Sequence, residues 1–249
     1  MKLSIVTVAY NAEATIADAV KSVVNQNRDG FELEYIIVDG ASTDDTLKAI
    51  EPFRSEISRV ISEPDHGLYD AMNKGILAAT GDFIGILNAD DAYEDNGVLK
   101  DVAQTLAESS TDALYGDLNY VDGNNPDKVI RRWRSGSMHS KSFLRGWMPP
   151  HPTFFLSRKL YIEHGLYSLE LRSAADYELM LRMLQKHHTT ISYLPRVLVK
   201  MATGGMSNVS WSNRLRANRE DRLAWRMNQL KPLPWTLLLK PLRKLTQWL

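Results

Sequence analysis

Carboxylates, amides and hydroxyls gather in four short stretches of this 249-residue chain: Thr7–Asn11, Asp39–Asp44, Asp65–Asp70 and Asn88–Asp91. Asp90 and Asp91 follow the apolar run FIGIL, which fixes their backbone and offers their carboxylates to whatever lies beyond it. Hard oxygen ligands of this kind suit Mg²⁺ or Mn²⁺ shared with a substrate diphosphate, the ion neutralising charge on a departing phosphate. The bland use of the same pair is to open a turn and cap the helix near Asp95. Asp39 precedes Gly40, whose missing side chain permits close approach of a base, and its carboxylate can accept the N–H of a pyrimidine. Turn formation and helix capping compete for Asp39 and for Ser42–Thr43–Asp44. Asp70 and Lys74 stand one helical turn apart, which alone implies a surface ion pair of roughly 0.2–0.5 kcal/mol.

These stretches share a position along the chain. Residues 3–9 (LSIVTVA), 34–38 (EYIIV), 57–62 (ISRVIS) and 82–88 (DFIGILN) are short, apolar and rich in β-branched residues. Between them the period changes to helical, with Ile16, Val20, Val23 and Val24 on one face after Asn11 as N-cap, then Leu47 and Ile50, then a helix at 68–79. Alternation of this kind predicts a parallel, doubly wound α/β sheet, whose ligands bind outside the carboxyl ends of the strands. All four polar stretches fall there, so they form one site. The second half is less regular: strands around Asp122–Asn125, a rigid loop Met148–Pro152, a strand at 153–156, a helix at 175–187 burying Tyr177, Met180, Leu181 and Leu184, and a strand at 190–200. Gly204–Gly205 marks a joint before Arg-rich helical sequence at 211–228.

Composition is that of a globular protein, 44% hydrophobic and 24% charged. With Cys 0, thiolate catalysis, Cys-ligated zinc and iron–sulfur clusters are excluded. The zero net charge conceals an asymmetry: residues 211–249 hold nine Lys/Arg and two acids, +7, which leaves −7 on the rest. The glycine signatures of dinucleotide folds and of P-loops are absent, as are the zincin and α/β-hydrolase motifs. No apolar run approaches the roughly 20 residues of a membrane span, and the apolar N-terminus reads as a buried strand rather than a leader.

The strings Ile5-Val-Thr-Val-Ala-Tyr-Asn11, Val38-Asp-Gly-Ala-Ser-Thr-Asp44, Glu63-Pro-Asp-His-Gly-Leu-Tyr-Asp-Ala-Met-Asn-Lys-Gly75, Ala79-Thr-Gly-Asp82 and Leu87-Asn-Ala-Asp-Asp91 resemble the family-two glycosyltransferases of GT-A fold. The nearest flavour is that of bacterial polysaccharide enzymes of the O-antigen, lipopolysaccharide or colanic-acid type. The likeness runs on, more weakly, through Pro150-His151-Pro152 and Ala174-Ala-Asp-Tyr-Glu178 to Gly204-Gly-Met-Ser207.

The resemblance implies roles. Thr7, Ala9 and Asn11 lie along the nucleotide, Asp39 binds the base, usually uracil, and Asp70 and Lys74 face the nucleotide. Asn88-Ala89-Asp90 stands where the family has its D-x-D metal motif: Asp90 matches the metal-binding carboxylate, with Asp91 beside it, while Asn88 hydrogen-bonds a ribose and adds no charge. Asp176 matches the base that deprotonates the acceptor hydroxyl in an inverting transfer; its structural alternative is a helix-start carboxylate. His151, held between two prolines, is placed near acceptor or diphosphate, and Gly204–Ser207 resembles a loop that closes over the donor. The cofactor implied is Mg²⁺ or Mn²⁺, the donor a nucleotide-sugar, expected to be a UDP-sugar, and the acceptor a glycan or lipid-linked hydroxyl.

The expected organisation is a nucleotide-sugar-binding part (1–110), an acceptor-binding part (111–208) and a basic, Trp/Leu-containing helical tail (209–249). Trp, Leu and basic groups together are the make-up of a segment lying on an anionic membrane surface, the alternative being a helix packed on the body or on a second subunit. The expected location is cytoplasmic, peripheral on the inner face of the bacterial inner membrane. The acidic body and the lack of a recognition motif argue against nucleic acid as a partner. Two rival readings are a nucleotidyltransferase, disfavoured by the missing triphosphate loop, and a non-catalytic nucleotide-sugar-binding subunit, for which Asn88 is the best support.

Overall fold

The computed structural model describes residues 1–123, 125–203 and 211–243, with the side chains of 211–216 excepted. The Gly204–Ser207 loop and the end of the tail, 244–249, lie outside the described residues. Four strands, β1 (Lys2–Ala9), β2 (Glu32–Asp39), β3 (Arg59–Ser62) and β4 (Phe83–Asn88), pair in parallel in the order β3-β2-β1-β4. Their β-branched, apolar composition suits strands buried on both faces. Three helices connect them: α1 (Ile16–Val24), α2 (Thr46–Ile50) and α3 (Leu68–Ala78). The strand register brings Ala9, Asp39 and Ser62 into one row, with Asn88 opposite Val8. Four strand ends therefore share one edge.

The sheet continues through the second half without a break. β6 (Ala113–Asp122) follows α4 (Val98–Ser109), and β8 (Phe155–Ser157) runs antiparallel between β4 and β6. β9 (Ile191–Thr203) lies parallel to β6, and β7 (Asn125–Trp133) closes a hairpin on the free side of β6. Among the described residues one nine-stranded sheet spans both sides of residue 110, as parts of a single domain require. Two apolar clusters cover its faces. One joins Val6, Ile36, Met72 and Ile84 to Tyr177, Leu181 and Trp225; the other joins Ile5, Ile37 and Leu87 to Val20, Val102 and Leu198.

Local structure departs from the sequence reading at three places. β5 (Asp91–Tyr93) is an unforeseen strand, antiparallel to β9, so Asp91 opens a strand instead of capping the helix near Asp95. Asn11 does not cap α1: the chain makes a turn first, and the N–H groups of Thr15 and Ile16 both bond to Ala12 O. The expected 175–187 helix is α6 (Ala175–Met180), continued by a wider π turn through Lys186, and its four named apolar residues are buried. α5 (Arg158–His164) follows β8.

The tail packs back on the body. α7 (Trp211–Met227) sends the buried Trp225 against α6, its Nε1 donating to the Tyr177 hydroxyl at 2.9 Å. α8 (Thr236–Leu242) seats Thr236 on Leu144 O at 2.6 Å. Gly146 has φ +72, and a Cβ there would lie 2.5 Å from Lys240 N, so only glycine admits α8 at this distance.

Candidate active site

At the ends of β1 and β2 two loops brace each other. Asn11, at φ 48, donates its N–H to Ser42 Oγ at 2.8 Å, and its side-chain oxygen accepts the N–H of Thr43 at 2.9 Å. A short amide tolerates this left-handed backbone better than most side chains do. The fully buried Asp39 carboxylate accepts the Ser62 hydroxyl at 2.7 Å and the Ser42 N–H at 3.1 Å. Gly40 serves a neighbour: a Cβ there would lie 2.3 Å from Asp65 Oδ2, so the absent side chain makes room for that carboxylate. The ring of Tyr10 borders the same spot and is 63% exposed. Sequence reading passed over Tyr10, although an aromatic at the end of a buried strand is its visible signal.

Thr7 and Ala9 are enclosed by the fold. Thr7 is fully buried and accepts the phenol of Tyr35 at 3.0 Å, because its side chain points into the core between β1 and α1 rather than along the crevice. Ala9 is buried too, and its carbonyl accepts the N–H of Gly40. Asp70 accepts the N–H of His66 at 3.0 Å at the start of α3. Lys74 donates to Pro64 O at 2.7 Å and lies 3.0 Å from Glu63 and 3.9 Å from Asp70, so it has more than the expected single partner. The hydrogen bond to Glu63 chiefly holds its ammonium above the usual lysine range.

The other end of the crevice is assembled from distant elements. Asp90 is exposed at the end of β4. Its neighbour Asp91 is buried and accepts Asn88 Nδ2 at 3.0 Å, so Asp91 turns inward and does not face an acceptor or phosphate as expected. Burial, reinforced by the charge of Asp90, pushes the Asp91 carboxyl well above the usual range. Among the described residues Asn88 Oδ1 and Asp91 Oδ1 are buried oxygens without a hydrogen-bond partner. From the second half come His151, in a single turn between Pro150 and Pro152, and Asp176, in the first turn of α6. His151 Nδ1 lies 3.8 Å from Asp176 Oδ2, both side chains 21% exposed. The Tyr69 hydroxyl of α3 donates to Asp176 Oδ1 at 3.2 Å.

The electrostatics tie these groups together. Burial lowers the His151 pKa below its ordinary 6.5, opposed by the charges of Asp176 and Asp90, so the imidazole is neutral at pH 7. Burial chiefly, then the Asp176 charge, keeps the Tyr69 phenol protonated and a donor. Tyr69 stacks on Tyr167 at 5.6 Å, and Asn73 clamps the Tyr167 backbone through both its N–H and C=O at 2.9 Å. Tyr120 lies within electrostatic reach of Asp91 and Asp176 and carries Arg131 over its ring at 3.6 Å. The sequence reading missed Tyr69, Tyr120 and Arg131. Only Tyr69, inside the 63–75 string, carried a signal.

Chemically, one wall offers a partly open carboxylate oriented by a neutral donor beside a neutral imidazole, suited to taking a proton from a hydroxyl. The other offers hard oxygens. Among the described residues no three His, Asp or Glu side chains cluster as a closed metal cage. The exposed carboxylate of Asp90, with the side-chain oxygen of Asn88 beside it, instead fits an ion that keeps substrate phosphates and water in its shell.

The chain matches the Glycosyl transferase family 2 model over residues 4–175, which ends one residue before Asp176. It is 30% identical over 210 residues to a PGL/p-HBAD biosynthesis glycosyltransferase of Mycobacterium bovis (strain BCG / Pasteur 1173P2), covering 82% of this chain and 78% of that one. It is similar in fold to S. aureus TarS residues 1–349 in complex with UDP-GlcNAc, at 21% identity and TM-score 0.67, over 92% of this chain and 65% of that one. Against the longer TarS structure it spans only 39% of the partner chain. A mannosyltransferase from Pyrobaculum calidifontis in complex with GDP-Man and Mn²⁺ superposes with a TM-score of 0.66 at 18% identity, over 95% of this chain and 67% of that one. With the sheet topology, the strand-end carboxylates and the family match in agreement, the chain belongs to glycosyl transferase family 2 and is a glycosyltransferase of GT-A fold.

Proposed function

We propose that this glycosyltransferase moves a sugar from a nucleotide-sugar, a UDP-sugar first among candidates, to a hydroxyl of a glycan or lipid-linked acceptor in cell-surface polysaccharide biosynthesis. The observation that carries the reading is the meeting of Asp90, His151, Asp176 and Tyr69 at the edge where Asp39, Asp70 and Lys74 also end. The fold-related TarS and mannosyltransferase structures, in complex with UDP-GlcNAc and with GDP-Man and Mn²⁺, support a nucleotide-sugar as donor.

In this reading the exposed Tyr10 ring and the Asn11 loop border the base, and Lys74 offers positive charge beside the nucleotide. Asp90 holds Mg²⁺ or Mn²⁺; the ion, when bound, offsets charge on the departing diphosphate. Asp176 accepts the proton of the acceptor hydroxyl through the carboxylate that Tyr69 orients. The acceptor oxygen forms its bond to the anomeric carbon as the carbon–diphosphate bond breaks on the opposite face, inverting the configuration. His151, neutral and fixed by its flanking prolines, stands beside Asp176 and supplies a hydrogen-bonding edge to the transferred group. Peripheral binding at the inner face of the membrane, through the basic tail, brings the enzyme to a lipid-linked acceptor.

Release of nucleoside diphosphate from a panel of UDP-, GDP- and dTDP-sugars, with Mn²⁺ and with chelator, tests this directly. Metal-dependent release from one donor is expected. No release from any donor, together with no binding of UDP, overturns it in favour of a role without catalysis.

A further inference from the structure

α8 has two unlike faces. Thr236, Leu237 and Lys240 turn inward: Thr236 caps onto Leu144 O, and Lys240 Nζ sits 2.7 Å from Asp221 Oδ1 and 3.6 Å above the ring of Tyr177. On the outside, Trp235, Leu238 and Leu242, spaced three and four residues apart, form one stripe. They are 52%, 65% and 54% exposed, and Leu233, at 38%, extends the stripe into the preceding turn. Single exposed leucines are ordinary on a protein surface, but four large apolar side chains within ten residues make a patch that needs an occupant.

Charge selects the occupant. No Asp or Glu follows Asp221 anywhere in the sequence, whereas Arg222, Arg226, Lys231, Lys240, Arg243 and Lys244 do. Lys231 and Arg243 are exposed at the two ends of the stripe, and Arg243 Nε reaches the carbonyl of the exposed Arg145 at 3.0 Å. A symmetric contact between two copies would set this cationic rim against itself. A bilayer carrying anionic headgroups complements both the rim and the stripe, because the apolar side chains enter the acyl boundary while the cations stay among phosphates. Among the described residues no helix is long and apolar enough to cross a membrane.

We infer that the Leu233–Arg243 face is the membrane-docking surface of the enzyme, with anionic phospholipid as its partner. The inference gives the membrane association in the proposed function a defined face. It also explains the inward grip of Lys240: Tyr177 is the neighbour of Asp176, so docking through α8 fixes the orientation of the catalytic pocket relative to the lipid surface.

Co-flotation of the full chain with vesicles of phosphatidylcholine alone, or of phosphatidylcholine mixed with phosphatidylglycerol, tests this. The chain should float with the anionic vesicles and not with the neutral ones, and lose binding as salt rises. The Trp235→Ser, Leu238→Ser double variant should bind at least about tenfold more weakly. Lys231→Glu, which leaves the apolar stripe and the packed face of α8 in place, should weaken the preference for anionic vesicles. A wild-type chain that stays at the bottom of the gradient overturns the inference, as do variants that float equally well. So does a vesicle-independent dimer that the double variant dissociates, which would assign the stripe to a second copy. Flotation does not depend on sugar transfer, so docking without donor turnover would count against the proposed reaction and leave this surface standing.

Discussion

At the residue scale the decisive arrangement is Asp176 between a phenol and an imidazole. Tyr69 donates to one oxygen and His151 faces the other, so the carboxylate is held in a single orientation. A hydrogen bond to an ionised acceptor contributes about 1.5–3 kcal/mol. Tyr69→Phe keeps the ring that stacks on Tyr167 and removes only this donor. Steady-state kinetics should show kcat reduced about tenfold with the donor KM unchanged. His151 gives a second prediction. Its folded pKa lies below the ordinary 6.5 because burial disfavours the imidazolium. Just below pH 6.5 the unfolded chain therefore binds more protons, so stability is full above that pH and declines as the pH falls through it. His187 is shifted the same way and adds to the slope. His151→Gln should accordingly flatten, without abolishing, the fall in Tm between about pH 7.5 and pH 5.

At the element scale the site depends on α3 lying close against β1. A Cβ on Gly75 would fall 2.2 Å from Val6 Cγ1 and 3.2 Å from Val38 Cγ2, so this helix touches the sheet through a bare backbone. Gly75→Ala should cost about 1–3 kcal/mol of stability by urea unfolding, as overpacking does, and should reduce turnover through the displaced Tyr69. The repeating strands and helices of residues 2–88 were readable because period and turn chemistry are local properties. β5 was not readable: Asp91–Tyr93 is a strand only by virtue of Val199–Met201, far along the chain. The cap expected at Asn11 failed for a related reason, since its side chain is engaged by Thr43 in the next loop. In the site, strand-end carboxylates such as Asp39 and Asp90 were legible from position alone. The Tyr69–Asp176 contact joins residues 107 apart, and the Arg131–Tyr120 stack depends on a bulged hairpin register, neither of which periodicity encodes.

At the scale of the whole molecule one sheet carries both halves of the crevice, and the basic tail packs behind α6. Arg182 illustrates the coupling. It pairs with the buried Glu178 at 2.9 Å and donates to the carbonyls of His164, Gly165 and Leu166, while Asn228 of the tail bonds the same Glu178 at 3.0 Å. The helix bearing Asp176, the segment preceding Tyr167 and the tail are thus one packed unit. The most direct test of the central claim compares the wild type with Asp176→Asn and Asp90→Ala for donor binding by calorimetry and for sugar transfer by nucleoside diphosphate release. Asp176→Asn should bind donor as the wild type does while transfer falls by about 10²–10⁴-fold, the contribution of a general base. Asp90→Ala should fold normally and lose the metal-dependent part of both. Transfer at the wild-type rate in Asp176→Asn would contradict the assignment of the base and, with it, the pocket described here as the active site.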